Sequence, residues 1–387
     1  MRVRALLAWI NVDLRAIDYN IKQVKRLLKP ATKLIAIVKS NAYGHGIFEV
    51  ALQAIRSGVD MLGVVNASEA LLLRKKGIIR PIVVMGAITK EEMLELVKEK
   101  VSFLVHSRRS FLDANSVALI TRRRVLVHIK LETGINRMGF TFDEALQVIK
   151  AIKQRRHLTL EGIWTHLASV EELNKSYTKM QLFQFEKLLN RLSKNGVRIN
   201  EIPYISTAAS AAAMLVLESR YTAVRLGISM YGLWPSRGVA AWAKKDLRGK
   251  RRVTLKPALK YRTRLVATRR IPAGSYVGYG CSFQAPKAMT VGVVPVGYAE
   301  GIDRSLSNMG FMLLKGAVVS IVGRVCMNMT ILDISRRPKS KPGDEVVIIG
   351  RSGGKEITAT DFADWAGTIN YEVVTRIPES IPRIYTK

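Results

Sequence analysis

Short, unbroken apolar runs recur through the first two-thirds of the chain: "KLIAIVK" (33–39), "MLGVV" (61–65), "PIVVM" (81–85), "VSFLV" (101–105), "VLVHIKL" (125–131), "LTLEGIW" (158–164), "IPYIS" (202–206) and "TAVRL" (222–226). Runs this short, without strict alternation, suit strands buried on both faces. Amphipathic segments lie between them. "AIDYNIKQVKRLLK" precedes the first run, and "KMQLFQFEKLLNRLSKNG" precedes the seventh and stops at Asn195-Gly196. Eight buried strands alternating with helices predict an α/β barrel of eight parallel βα units. An open doubly wound sheet is the alternative, weakened because no Gly-x-Gly-x-x-Gly follows the first run.

After about residue 245 the rhythm changes to short alternating stretches broken by "IPAGSYVGYG", "KPGDEVVIIG" and "RSGGKE". This pattern predicts a second, C-terminal all-β domain. The expected division is a barrel over residues 11–244 and a β domain over 1–10 and 245–387, with "ALLAWINVDL" lending it a strand and the basic 244–252 segment as the connection. Helical pattern returns only in "TATDFADWAGTI" (358–369), with Thr360-Asp361 read as its cap.

Composition narrows the picture. With 387 residues and 48% hydrophobic content the chain is globular and large enough for two domains. The run "IPYISTAASAAAMLVL" (202–217) is too short and polar to span a bilayer, and "MRVRALLAWINVDLR" lacks a secretory signal's apolar core. The cysteines, Cys281 and Cys326, read as free thiols. A cytoplasmic protein with no membrane partner is expected. The net charge of +32, dense over 244–270, comes without zinc-finger spacing or aromatic-interleaved RNA-binding motifs. It reads as a basic, solvated surface with no specific nucleic-acid partner.

Barrel active sites lie at the C-terminal strand ends. There the chain places Lys39, Lys130, Arg137 in "ETGINRMG", His166 in "WTHLAS", Ser206-Thr207, and Arg225 followed by Gly227. No acidic or histidine cluster has metal-ligand spacing, so no metal is expected. Taken singly, Lys39 reads as a solvated strand-end lysine and His166 as a core histidine. Lys130 and Arg225 sit inside apolar runs and call for partners. Together the set suits an anionic cofactor that needs an amine.

"AIVKSNAYGHG" (36–46) resembles the cofactor-lysine signature of the alanine racemases, which use pyridoxal 5'-phosphate. "WINVDLRAIDYNI", "HIKLETGINRMGF", "WTHLAS", "VRLGISMYGL", "GYGCSF", "VGYAEGIDR", "GRVCMNM" and "INYEVVTRIPESIPRIY" resemble that family's other blocks, in order, over essentially the whole chain. The resemblance implies interconversion of L- and D-alanine by two-base proton transfer, supplying D-alanine for peptidoglycan. It also implies a homodimer whose active sites draw on both subunits. Lys39 would form the internal aldimine and act as one base. Tyr279 of the neighbouring subunit would be the other. Arg225 would face the pyridine nitrogen, and His166 would join the network of Arg225 and Tyr279. Tyr43, Thr207 or Ser206, the amides of Gly227 and Ile228, and Tyr371 would hold the phosphate. Arg137 and Met327 would meet the substrate carboxylate, and Lys130 would be carbamylated to orient Arg137.

The chain departs from the family at Asn328 and Glu300, where aspartates are usual. The alternatives are a broader-specificity racemase of the same cofactor class and a non-catalytic basic nucleic-acid-binding protein. A decarboxylase of this fold is disfavoured by Arg225.

Overall fold

A computed structural model describes residues 6–245 and 253–387. Most of the expected 244–252 connection therefore lies outside the described residues. By their internal contacts the described residues form two units. One holds the chain up to Ala16, Tyr43–Gly46 and Pro257–Lys387; the other holds Ile17–Ala42 and Ile47–Lys256.

The chain opens with strand β1 (Ala8–Asp13), which belongs to the first unit. The second unit is built on β2 (Lys33–Ile37), β3 (Met61–Val64), β4 (Ile82–Val84), β5 (Ser102–Val105), β6 (Val125–Lys130), β7 (Leu158–Trp164), β8 (Tyr204–Ser206) and β9 (Ala223–Leu226). They form one 8-stranded parallel sheet, ordered β8-β7-β6-β5-β4-β3-β2-β9. Each corresponds to one of the apolar runs. Covered by side chains inside and helices outside, such strands need no polar face. Between the end strands, the Ile205 amide donates to Thr222 Oγ1 at 2.7 Å and the Arg225 amide to the Ala208 carbonyl at 3.0 Å. The sheet thereby nearly closes into a barrel. A Cβ on Gly162 would lie 2.1 Å from His128 Nδ1, so the interior is filled. The helix before β8 runs Ser176–Lys194 and stops as its pattern predicts, with Gly196 at φ +78°.

The first unit pairs β1 antiparallel with β10 (Leu259–Arg264). β11 (Ala267–Ile271), β12 (Met289–Val294) and β15 (Thr330–Asp333) form a small sheet of their own beside a larger one. That larger sheet takes β13 (Phe311–Leu314), β14 (Ala317–Ser320), β16 (Glu345–Ser352), β17 (Lys355–Ile357) and β18 (Arg383–Thr386), ordered β14-β13-β16-β10-β1-β18 with β17 on β16. The unit is mostly β: the helical pattern expected in 358–369 forms the helix Ala359–Ala366, and a second helix follows at Asn370–Thr375. One detail corrects the sequence reading. The first helix is capped by Thr358, not Thr360: Thr358 Oγ1 accepts from the Asp361 amide at 3.0 Å, and Asp361 accepts from the Thr358 amide at 2.9 Å.

Candidate active site

Lys39 does not end a strand. β2 stops at Ile37, and the chain then turns the wrong way for L-residues. Ser40, Asn41, Ala42 and Tyr43 have φ of 54°, 51°, 52° and 53°, a left-handed turn in which only Gly44 is a glycine. Each such residue costs roughly 1–2 kcal/mol. Strain of this kind persists where surrounding contacts enforce it, and it concentrates at functional sites. The enforcing contacts are visible. The Ala42 amide reaches the Val38 carbonyl at 2.9 Å. Glu69 accepts from the Asn41 amide at 3.3 Å and from the Val65 amide at 3.0 Å. Burial and the nearby Arg137 charge lower the Lys39 pKa, against a smaller opposing pull from Glu69.

The loop after β6 is folded around a carboxylate in the same way. Glu132 accepts from the Gly134 amide at 2.6 Å and the Arg137 amide at 3.2 Å. Its pKa is lowered: burial works against this, but the loop amides prevail. The exposed Arg137 is thereby positioned. Lys130 is buried at 5% exposure, and its ammonium makes no hydrogen bond or ion pair among the described residues. The partner expected from the sequence is not supplied by the chain. Burial, then the charges of Arg137 and Arg225, push its ammonium down to about 8.

Arg225 is also buried, and it is satisfied without a carboxylate. Nη1 donates to the Ser206 carbonyl at 2.9 Å and to Ser206 Oγ at 2.8 Å. Nη2 donates to the Thr165 carbonyl at 2.7 Å and the Thr207 carbonyl at 3.1 Å, and lies 3.4 Å from His166 Nδ1. Its guanidinium lies 5.1 Å from the Trp164 ring centre. Burial lowers its pKa to about 10, so it remains a cation at neutral pH. His166 is driven to about 3 by burial and by Arg225, Arg137, Lys130 and Lys39, in that order. It is a neutral imidazole throughout the physiological range. Gln181 holds its backbone, donating to the His166 carbonyl at 3.1 Å and accepting from the Ala168 amide at 2.8 Å.

Some of the expected donors are already engaged. Thr207 Oγ1 donates to the Ser219 carbonyl at 2.9 Å, and the Gly227 amide donates to Ser210 Oγ at 3.0 Å. Gly227 and Ile228 lead into a short 3-10 turn, Ile228–Tyr231, rather than a long helix. Ser229 Oγ in that turn is buried without a partner.

In the first unit, Tyr43 and Tyr371 lie with ring centres 6.3 Å apart. Burial raises the Tyr43 pKa to about 12, so its hydroxyl remains a donor. A Cβ on Gly44 would sit 2.0 Å from the Val374 carbonyl oxygen, which seats the end of the left-handed turn against Asn370–Thr375. Tyr279 and Met327 are exposed at 72% and 56%. The two departures are partners of each other: Asn328 Nδ2 donates to Glu300 Oε1 at 2.8 Å, and Glu300 Oε2 accepts from the Gly297 amide at 2.8 Å. Sequence reasoning missed Glu69, Glu132 and Gln181. Only Glu69 left a signal, because "NASE" has the spacing of a helix cap.

Two family models match, described as "Alanine racemase, N-terminal domain" over residues 12–235 and "Alanine racemase, C-terminal domain" over 258–385. An alanine racemase of Leptospira interrogans is 40% identical over 379 residues, covering 97% of this chain and 95% of that protein. The alanine racemase structure from D-cycloserine-producing Streptomyces lavendulae superposes with TM-score 0.91 at 30% identity, covering 98% of this chain and 97% of that one. A histidine racemase from Leuconostoc mesenteroides superposes with TM-score 0.87 at 25% identity, covering 99% of both chains. On matches that run through both units, the chain belongs to the alanine racemase family.

Proposed function

We propose that the family's activity, interconversion of L- and D-alanine, is carried out here with pyridoxal 5'-phosphate on Lys39. The observation that carries this reading is the cation set Lys39, Lys130, Arg137 and Arg225 around a neutral His166 at the C-terminal end of the barrel. Glu69 and Glu132 offset only part of that charge. The surplus complements a phosphate-bearing group and a substrate carboxylate. The residues also fit the cofactor's other demand, a lysine whose amine is more readily neutral and therefore nucleophilic. Lys39 would hold the cofactor covalently. Tyr43, Tyr371, Thr207 and the amides of Gly227 and Ile228 would hold its phosphate, with Ser206 in a lesser role. Thr207 and Gly227 would have to exchange their present partners. When bound, the cofactor supplies an electron sink that acidifies the substrate Cα–H.

The chain's own residues do the rest. Lys39 Nζ takes or returns a proton on one face of Cα, and Tyr279 Oη serves the other. Two bases allow inversion without turning the substrate over. Arg225 has no carboxylate among its partners and no readily lost proton, so it would leave a cofactor ring nitrogen placed against it unprotonated. That restrains the sink and disfavours side reactions. His166 accepts from Arg225 through Nδ1 and stays neutral. Lys130, with a pKa near that of a reactive amine, fits carbamylation. The resulting anion would offset Arg137 and orient it toward the substrate carboxylate, beside Met327. The high exposure of Tyr279 and Met327 supports their serving a second subunit in a homodimer. We place the enzyme in the cytoplasm, supplying D-alanine to cell-wall peptidoglycan.

An absorbance spectrum followed by a coupled assay on both alanine enantiomers tests the assignment. The native protein is expected to absorb near the violet edge of the visible and to racemise alanine. Lys39→Ala is expected to lose both, and a variant that keeps the band would sink the lysine assignment. A broader substrate range is the second reading. It is favoured by the likeness to a histidine racemase and by the uncharged Asn328, and a panel of amino acids separates the two.

A further inference from the structure

The net charge of +32 looks dispersed along the chain, but folding gathers much of it onto one place. The turns entering β4, β5, β6 and β7 read "RKKGIIRP" (74–81), "KEKV" (98–101), "TRRR" (121–124) and "KAIKQRRH" (150–157). They hold thirteen lysines and arginines against one acid, Glu99. These four strands are consecutive neighbours in the barrel, so the turns share its N-terminal rim. Hydrogen bonds tie one turn to the next. Arg74 Nε reaches the Glu99 carbonyl at 3.0 Å, Arg123 Nη1 the Lys98 carbonyl at 3.1 Å, and Arg124 Nε Thr159 Oγ1 at 2.9 Å. The rim lies at the opposite end of the strands from the catalytic group, so none of this charge serves the reaction.

Helix dipoles account for cations in the last turn of each preceding helix. They do not account for the aliphatic residues displayed among them. Ile79 is 94% exposed between Lys76 and Arg80, and Leu119 and Ile120 are 65% and 62% exposed just before Arg122. Lys75, Arg122 and Arg156 make no side-chain hydrogen bond or ion pair among the described residues and project from the same rim.

Cations interleaved with protruding aliphatics complement a surface that is anionic at its face and apolar just beneath. We infer that this rim docks the protein on an anionic lipid bilayer, with Ile79, Leu119 and Ile120 entering the headgroup boundary. The contact is peripheral, because among the described residues no helix is long and apolar enough to cross a membrane. A nucleic acid would satisfy the charge but has no layer to receive the aliphatic side chains.

The test is co-sedimentation with vesicles. The wild-type protein should sediment with phosphatidylglycerol–phosphatidylcholine vesicles at about 0.1 M salt, remain in solution with pure phosphatidylcholine, and bind less as salt rises. The triple variant Lys75→Glu, Arg122→Glu, Arg156→Glu should lose roughly a hundredfold in vesicle affinity. The double variant Ile79→Ser, Ile120→Ser should lose about tenfold while retaining its affinity for an RNA oligonucleotide. Both variants should keep native melting temperature and racemase activity. No wild-type binding to anionic vesicles overturns the inference. So does binding that depends on the charges but is indifferent to Ile79 and Ile120, which would mark a general polyanion surface.

Discussion

Lys130 and Arg225 are neighbouring buried cations that the protein handles differently. Arg225 spends both terminal nitrogens on carbonyls, a hydroxyl and an imidazole, whereas Lys130 has no acceptor from the described chain. An unpaired buried ammonium opposes folding. Its folded pKa of about 8 lies below the ordinary 10.5, so the unfolded chain binds the extra proton across that interval. The penalty is full below the folded value and fades as pH rises toward the unfolded one, so this group makes stability increase over that window. In carbonate-free buffer at neutral pH, Lys130→Met should therefore raise stability by on the order of 1–2 kcal/mol, with the gain shrinking in alkaline buffer. Bicarbonate should stabilise the wild type and leave the variant unmoved. Urea melts in the two buffers read this directly, and a wild type indifferent to bicarbonate would count against carbamylation.

The pair Asn328–Glu300 makes a second test at this scale. Asn328→Asp would set two carboxylates where an amide now donates at 2.8 Å. One of the pair must then titrate above the ordinary carboxylate range. The variant should lose a few tenths to about 1 kcal/mol at neutral pH, because the pair is partly exposed, and recover toward wild type as acid protonates it. A loss that persists unchanged in acid would show that something other than repulsion is at work.

At the scale of elements, the left-handed turn after β2 determines where Lys39 points. Its strain is held by Glu69 from the following βα unit and by the seat of Gly44 against Asn370–Thr375. Ala42 is fully buried at φ 52°, where a glycine would carry no Cβ penalty. The lost methyl contacts and the freer unfolded glycine offset part of that relief, so Ala42→Gly should stabilise the protein by at most about 1 kcal/mol and raise its melting temperature by about 1 °C. Glu69→Gln keeps the side-chain shape, leaves one oxygen to accept where Glu69 uses two, and removes the charge that opposes the lowering at Lys39. It should shift downward the limb of the pH–rate profile that Lys39 sets, which is the acid limb in the direction where Lys39 takes the proton, read as kcat/KM against pH. No movement of that limb would detach Glu69 from the lysine.

At the scale of the whole molecule, the proposed homodimer makes each active site a joint product of two chains. If Lys39 of one subunit works with Tyr279 of the other, a Lys39→Ala subunit paired with a Tyr279→Phe subunit has one doubly defective site and one intact site. Dissociating and remixing the two nearly inactive homodimers should restore roughly a quarter of wild-type activity. Confirmed exchange without recovery would mean that each subunit supplies both bases itself.

The barrel could be read from the sequence because its strands are buried on both faces, which demands unbroken apolar runs at each position. The residues of the proposed site at the barrel's C-terminal end were picked out for a related reason. In a parallel barrel, the chemistry collects at one kind of place, just past the end of each run. The left-handed turn left no such mark: Ser40, Asn41, Ala42 and Tyr43 are ordinary residues, and contacts such as those of Glu69 and the Val38 carbonyl hold that backbone. Nor could spacing show that Lys130 lacks an acceptor, that Arg225 is met by carbonyls, or that Asn328 and Glu300 are bonded to each other, since each depends on loops brought together from distant runs. The charge marks the division most clearly. Its amount is a property of composition. Its concentration beneath β4 to β7 arises because a barrel brings turns separated by 16 to 25 residues onto one rim, a placement decided by strand order and helix length rather than by any local pattern.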